Sequence, residues 1–200
     1  ITSCKNNDTE FSVIEEKDLD LQMIDAYKEG LKLLDENFPL IAAKKFSEAE
    51  ILYPQSMWAP RSSLMSAYSY YHGSYYLNAI DELNRFIKIY PKHERFVFAR
   101  YLLAMCYYEQ ITDETKDLGS IIEAQQNFQY VLKNHPNTDY AIDSEYKLEL
   151  IKEILASKEI YLANYYIKRE KWIPAINRFK NVVEKYETTI YVEEALHRLV

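Results

Sequence analysis

Apolar residues recur along most of this chain at steps of three and four, the spacing that gathers side chains on one face of a helix. Leu31, Leu34, Ile41 and Phe46 fall on facing stripes of a first helical pair, predicted over about 19–36 and 40–52, with Pro39 opening the second helix. Proline is tolerated there because the first turn has no use for its missing N–H. A second pair is predicted over 62–72 and 76–90, folded at Gly73-Ser74 and closed by Pro91. The apolar run Leu102 to Tyr107 marks a third first-helix, followed by a polar stretch over 110–119. No glycine or proline interrupts 141–168, which predicts one helix of roughly 40 Å. Finally, Thr188-Thr189 are placed to cap a helix over about 191–200.

A longer period overlies these stripes. Gly30 is followed by Ala42, Phe46 and Pro54 at steps of 12, 4 and 8, and Ala67, Ala79, Leu83 and Pro91 repeat the steps. Ala104, Ala124, Phe128 and Pro136 follow with the first step stretched to 20, then Ala163, Ala175, Phe179 and Glu187, with glutamate in the proline's place. Small residues where two helices cross, with a stop after the second, mark the tetratricopeptide repeat. The fold expected is an all-α solenoid of helical hairpins, about five units with the last incomplete. Residues 1–18 read as a tether and 19–200 as a single repeat domain. Its units fall at about 19–56, 57–93, 94–138 and 139–188, with a fifth beginning at 189–200 and expected to continue beyond Val200. The stretch over 110–119 is either a binding edge or a solvated loop.

Composition narrows the function. Three glycines and 6 prolines give too little punctuation for an all-β chain. A net charge of -7, from 31 acidic and 24 basic residues, argues against nucleic acid as a ligand, because phosphate backbones are held by clustered Lys and Arg. No apolar run approaches the roughly 18 residues that cross a bilayer. His72, His93, His135 and His197 stand apart from one another, so no metal site is expected, and His93 and His135 read as solvated. Phosphate-binding loops and nucleophile motifs are missing, and the carboxylate pairs Asp113-Glu114 and Glu193-Glu194 read as solvated faces. Neither an enzyme nor a cofactor is expected.

Ile1-Thr2-Ser3-Cys4 resembles the lipobox of bacterial lipoproteins. That resemblance implies lipidation at Cys4 and a membrane-anchored chain, with the polar run Lys5 to Glu10 as spacer. Cys106, the other cysteine, lies in an apolar stretch and reads as a small buried hydrophobe.

Tyrosine is the one compositional excess, at 19 residues. Tyr68, Tyr70, Tyr71, Tyr101, Tyr107 and Tyr108 fall on first helices, which line the concave face of such solenoids. Tyr68 and Tyr101 are the groove candidates, since a tyrosine offers apolar area with one polar handle; packing between helices would use the same residues. Arg61, Arg85 and Arg100 could hold a peptide carboxylate in bidentate fashion, or make internal ion pairs with the acidic excess.

Several phrases resemble the BamD family, also called ComL, the lipoproteins of the outer-membrane β-barrel assembly machine, and in particular its alphaproteobacterial members. They are Tyr53-Pro54-Gln55-Ser56, Trp58-Ala59-Pro60-Arg61, Ala67-Tyr68 with Tyr70-Tyr71, Arg85-Phe86-Ile87 and Tyr107-Tyr108-Glu109-Gln110-Ile111. Ala175-Ile176-Asn177-Arg178-Phe179 and Thr188-Thr189 with Glu194-Ala195-Leu196-His197-Arg198-Leu199 complete the set. The resemblance implies a non-enzymatic scaffold, lipid-anchored on the periplasmic face of the outer membrane. Its implied partners are the POTRA region of the barrel subunit BamA, bound through the C-terminal units, other lipoproteins of the machine, and unfolded outer-membrane proteins near the N-terminal units. Arg178 matches an arginine at the family's BamA contact, and Glu194 and Arg198 join it as partner-binding candidates. The chain departs from the pattern in the glycine-free turn at Asn37-Phe38 and in Glu187. The alternative reading is a generic periplasmic repeat adaptor coordinating cell-envelope synthesis or division.

Overall fold

A computed structural model describes residues 18–111 and 118–200. Cys4, the spacer and Asp113-Glu114 lie outside the described residues, as does most of the stretch inserted in the third unit. In chain order the helices are α1 (Leu19–Asp35), α2 (Pro39–Leu52), α3 (Ala59–His72), α4 (Tyr76–Ile89) and α5 (Phe96–Tyr108). They continue as α6 (Gly119–Asn134), α7 (Asp139–Ile167), α8 (Trp172–Lys185) and α9 (Val192–Leu199). Each packs chiefly on its predecessor and its successor, as in a solenoid of hairpins.

The repeated residues are the places where helices cross. Ala42, Ala79, Ala124 and Ala175 are buried, and so are Phe46, Leu83, Phe128 and Phe179 four positions on. A methyl group at Gly30 would sit 2.9 Å from the Phe46 ring, so the first unit needs glycine where the others carry alanine. Burying each phenylalanine contributes about 2–3 kcal/mol, and Leu83, Phe128 and Phe179 each lie in a separate small core. Cys106 is wholly buried, and burial pushes its thiol up to about 12, which leaves it an inert packing residue.

Three of the hairpin turns are built alike. Asn37, Ser74 and Glu170, each five residues before a repeat alanine, have φ of 63°, 61° and 57°. In the first turn the N–H of Asn37 bonds to the Leu34 carbonyl at 3.0 Å and that of Phe38 to Leu33 at 2.8 Å. Ser74 and Tyr75 bond in the same way to Tyr71 and Tyr70, and Glu170 and Lys171 to Ile167 and Tyr166. This is the Schellman arrangement, which satisfies the last carbonyls of a helix and usually takes glycine at the left-handed residue. The turn at Asn37 is therefore the ordinary turn of this chain. Gly73 has a φ of -84°, so its glycine answers to packing: an added Cβ would lie 2.7 Å from Pro39.

Three local expectations need correction. Leu31 and Ile41 are exposed, because the inter-helix seam is set by Gly30, Ala42 and Phe46, which lie one position round the helix. Thr189 does not cap the last helix; its hydroxyl donates to the Tyr186 carbonyl at 2.8 Å, and α9 begins without a side-chain cap. His93 is half-buried with its ring 5.6 Å from Phe86, and burial lowers its pKa from the ordinary value.

The 29-residue α7 is the long helix expected, about 43 Å end to end. Its first half packs on the core of α5 and α6 through Leu148, Ile151, Ile154 and Leu155. Ala156, Ile160 and Ala163 then join Phe179, Val182 and Ala195 of α8 and α9 in a separate core. One helix thus carries the C-terminal hairpin out past its neighbours.

Candidate partner-binding surfaces

First helices α1, α3 and α5 leave a cavity of about 380 Å³ between them, lined by Tyr27, Arg61, Leu64, Met65, Tyr68, Arg95 and Phe98. The Arg61 guanidinium lies 5.4 Å from the centre of the Trp58 ring and 3.8 Å from a Glu94 carboxylate oxygen. Tyr27 packs edge-on against Trp58 and Phe46, which holds one wall in place. Burial raises the Tyr27 pKa, with Arg61 and Arg95 pulling the other way, so the phenol is neutral and available as a donor. An aromatic floor with two guanidinium groups at its rim suits an apolar side chain carried beside a carboxylate or a backbone carbonyl.

Of the five groove residues expected from sequence, the structure brings Arg61 and Tyr68 to this cavity and engages the other three in bonds to neighbouring helices. Arg85 donates to both oxygens of Glu50, at 2.8 and 2.6 Å, and through Nε to Glu82 at 3.0 Å, with Ser63 also in reach. Glu50 is buried and accepts a further bond from the Tyr90 hydroxyl. The pair locks α2 to α4, so Arg85 serves the fold. Arg100 donates to Asn127 at 3.1 Å, with its guanidinium 4.7 Å from the centre of the Tyr130 ring. Tyr101 donates to Asp143 at 2.6 Å between α5 and α7; burial, then that bond, raise its pKa. In place of these three the cavity takes Tyr27, Arg95 and Phe98. Sequence alone could have flagged Glu50 as an acidic residue four positions after Phe46, on the buried stripe.

At the C-terminal end, Arg178 of α8 donates to Glu159 of α7 at 3.1 Å, and Asn181 donates to the same carboxylate at 3.1 Å. A hollow of about 320 Å³ beside Arg178 is lined by Tyr166, Ile173, Pro174, Asn177 and Asn181. Glu194 and Arg198 face each other at 3.9 Å on the exposed side of α9. The three partner-binding candidates thus lie on the two successive, packed helices α8 and α9.

A further regularity was not expected. Two positions before each repeat alanine stands a large aliphatic residue that the structure exposes: Leu40, Leu77, Ile122 and Ile173. The residues lie at the starts of second helices, along the edge where the hairpins turn. Among the described residues no group of three or more His, Cys, Asp or Glu could hold a metal ion, and no helix is long and apolar enough to cross a membrane.

Fold and surfaces define a tetratricopeptide-type solenoid with an aromatic, basic cavity between its first helices. A protein-family profile described as YfiO, outer membrane lipoprotein, matches residues 19–200. The Caulobacter vibrioides protein named outer membrane protein assembly factor BamD is 38% identical over 188 residues, 94% of this chain and 60% of that protein. The Rickettsia prowazekii protein of the same name is 38% identical over 174 residues, 87% of this chain and 69% of its own. A Neisseria gonorrhoeae BamD is 30% identical over 165 residues, covering 78% of this chain and 62% of its length. The chain belongs to this BamD family of outer membrane lipoproteins, as its phrases suggested, and it spans about two thirds of the length of these relatives.

Proposed function

We propose that this chain is the non-enzymatic lipoprotein scaffold of the outer-membrane β-barrel assembly machine, lipid-anchored at Cys4 on the periplasmic face. Its α8 and α9 surface, with Arg178, Glu194 and Arg198, binds the POTRA region of BamA. The cavity around Arg61 and Tyr68 receives unfolded outer-membrane proteins, and other lipoproteins of the machine bind elsewhere on the solenoid. The observation that carries the reading is the cavity itself: two arginines and three aromatic rings on three successive first helices, in a chain whose relatives are named as assembly factors.

Arg178 offers the sharpest test, because its pairing with Glu159 allows a control. Arg178→Glu alone places two carboxylates together, whereas the swap of Arg178→Glu with Glu159→Arg keeps an internal ion pair and reverses its outward charge. Capture of the BamA POTRA region by the swapped chain is expected to fall at least tenfold with an unaltered helical circular dichroism spectrum, in line with loss of a charged interface contact. Full capture by the swapped chain would make Arg178 a purely internal residue. Failure of the unaltered chain to capture BamA would end the scaffold reading.

A further inference from the structure

The tip of the α7–α8 hairpin differs from the others in charge. It reads Tyr165-Tyr166-Ile167-Lys168-Arg169-Glu170-Lys171-Trp172-Ile173, three cations against one acid in a chain whose net charge is -7. Trp172 is 60% exposed and Ile173 74%, with Tyr165 and Tyr161 exposed on the adjoining turns of α7. Arg169 lies over the Tyr165 ring at 3.6 Å, which holds a guanidinium and an aromatic face at the same level. The corresponding turns at Asn37-Phe38 and Ser74-Tyr75 also expose aliphatic and aromatic residues, but carry no Lys or Arg between the two helices.

Two features of this tip are costs that the fold does not require. Glu170 occupies the left-handed region, which disfavours a residue with a Cβ. Lys171 occupies the N-cap of α8 and makes no capping bond, so a cation opposes the positive end of the helix dipole. An anionic surface turns that second cost into attraction. The tip also stands clear of its neighbours, because α7 beyond Leu155 has left the core of α5 and α6.

From this geometry we infer that the α7–α8 tip is a second membrane contact, seated in the headgroup layer of a bilayer rich in anionic phospholipid. Trp172 and Ile173 enter the boundary between headgroups and acyl chains, while Lys168, Arg169 and Lys171 hold phosphates beside them. Tryptophan and tyrosine favour this boundary, and basic residues beside an anionic leaflet each add to the attraction. A fluid surface suits the site better than a protein does. The tip sets exposed Trp172 and Ile173 at one level with three cations, the aromatic and basic pattern of a headgroup boundary. The inference rests on the membrane-tethered scaffold proposed above. Lipidation at Cys4 fixes the chain to the bilayer at one point only, so a second contact at the tip would set the orientation of the solenoid as well as its distance from the bilayer.

The test uses the 200-residue chain with Cys4 unacylated and vesicles of phosphatidylglycerol with phosphatidylethanolamine, against vesicles of phosphatidylcholine alone. Trp58→Phe leaves Trp172 as the sole tryptophan, whose emission is expected to shift to the blue on adding anionic vesicles. The unaltered chain should co-sediment with the anionic vesicles, with about fivefold less binding for each cation removed in Lys168→Gln, Arg169→Gln and Lys171→Gln. Trp172→Ser with Ile173→Ser should reduce binding at least tenfold, and circular dichroism checks the fold of every variant. Absence of both the shift and co-sedimentation overturns the inference, as does equal vesicle binding by the tip variants. Capture of the BamA POTRA region, measured on the same samples, separates the two ideas. A chain that captures BamA but ignores vesicles loses the membrane contact and keeps the scaffold reading; one that binds vesicles through the tip but not BamA does the reverse.

Discussion

Replacing Arg85 distinguishes a structural arginine from a ligand-binding one. Its guanidinium meets Glu50 through two nitrogens, at 2.8 and 2.6 Å, and the Glu50 side chain is 8% exposed while that of Arg85 is 37% exposed. Arg85→Met leaves that carboxylate buried with the Tyr90 hydroxyl, 3.1 Å away, as its remaining donor. Breaking a fully buried pair costs about 3–5 kcal/mol, and the partial exposure of Arg85 lowers the expectation to about 2–3 kcal/mol. For a chain of this size that corresponds to a fall in Tm of about 5–10 °C. Thermal and urea unfolding followed by circular dichroism would measure it. The double replacement Glu50→Met with Arg85→Met should recover most of the loss, because no charge is then left buried. A single variant within about 0.5 kcal/mol of the unaltered chain would refute this account and return Arg85 to the list of free binding residues.

Glu170→Gly should stabilise the chain by about 0.5–1 kcal/mol, since relief of the left-handed cost of about 1–2 kcal/mol exceeds the added backbone entropy. Asn37→Gly at the equivalent turn should be close to neutral, because asparagine tolerates that conformation; a lower Tm for Glu170→Gly would contradict the turn analysis. His93, its pKa lowered by burial, binds a proton less readily folded than unfolded. Its contribution is therefore complete above about pH 6.5 and is lost as pH falls through that value toward the lowered folded one. Tm measured from pH 7.5 down to 5 should fall less steeply in His93→Gln, and identical slopes would remove His93 from the cause.

Much of the fold was legible because the repeat is a local code. A small residue, an alanine and a large apolar residue at fixed steps specify where two neighbouring helices cross, and each unit touches chiefly the next. The long α7 was visible for the same reason, as a stretch without a breaker. The left-handed residues were not, since asparagine, serine and glutamate occupy them in place of glycine, and only backbone hydrogen bonding reveals that the turns are one motif. At the candidate surfaces the sequence supplied residue types without partners. Arg61, Arg85 and Arg100 look alike in the sequence; one reaches the cavity and two are held by Glu50 and Asn127, residues 35 and 27 positions away.

What the amino-acid order determined by itself was the all-helical repeat, its register, the small residues at each crossing and membership of a lipoprotein family. The repeat follows from interactions a few residues apart, which periodicity reports directly, whereas the family is carried by matching phrases. Which side chains face a partner was decided only in three dimensions. Whether an arginine or tyrosine is spent inside or offered outside depends on what the preceding and following helices bring against it. The cavity at Tyr27, Arg61 and Phe98, the lock at Glu50 and Arg85, and the exposed tip at Trp172 all arise from that stacking.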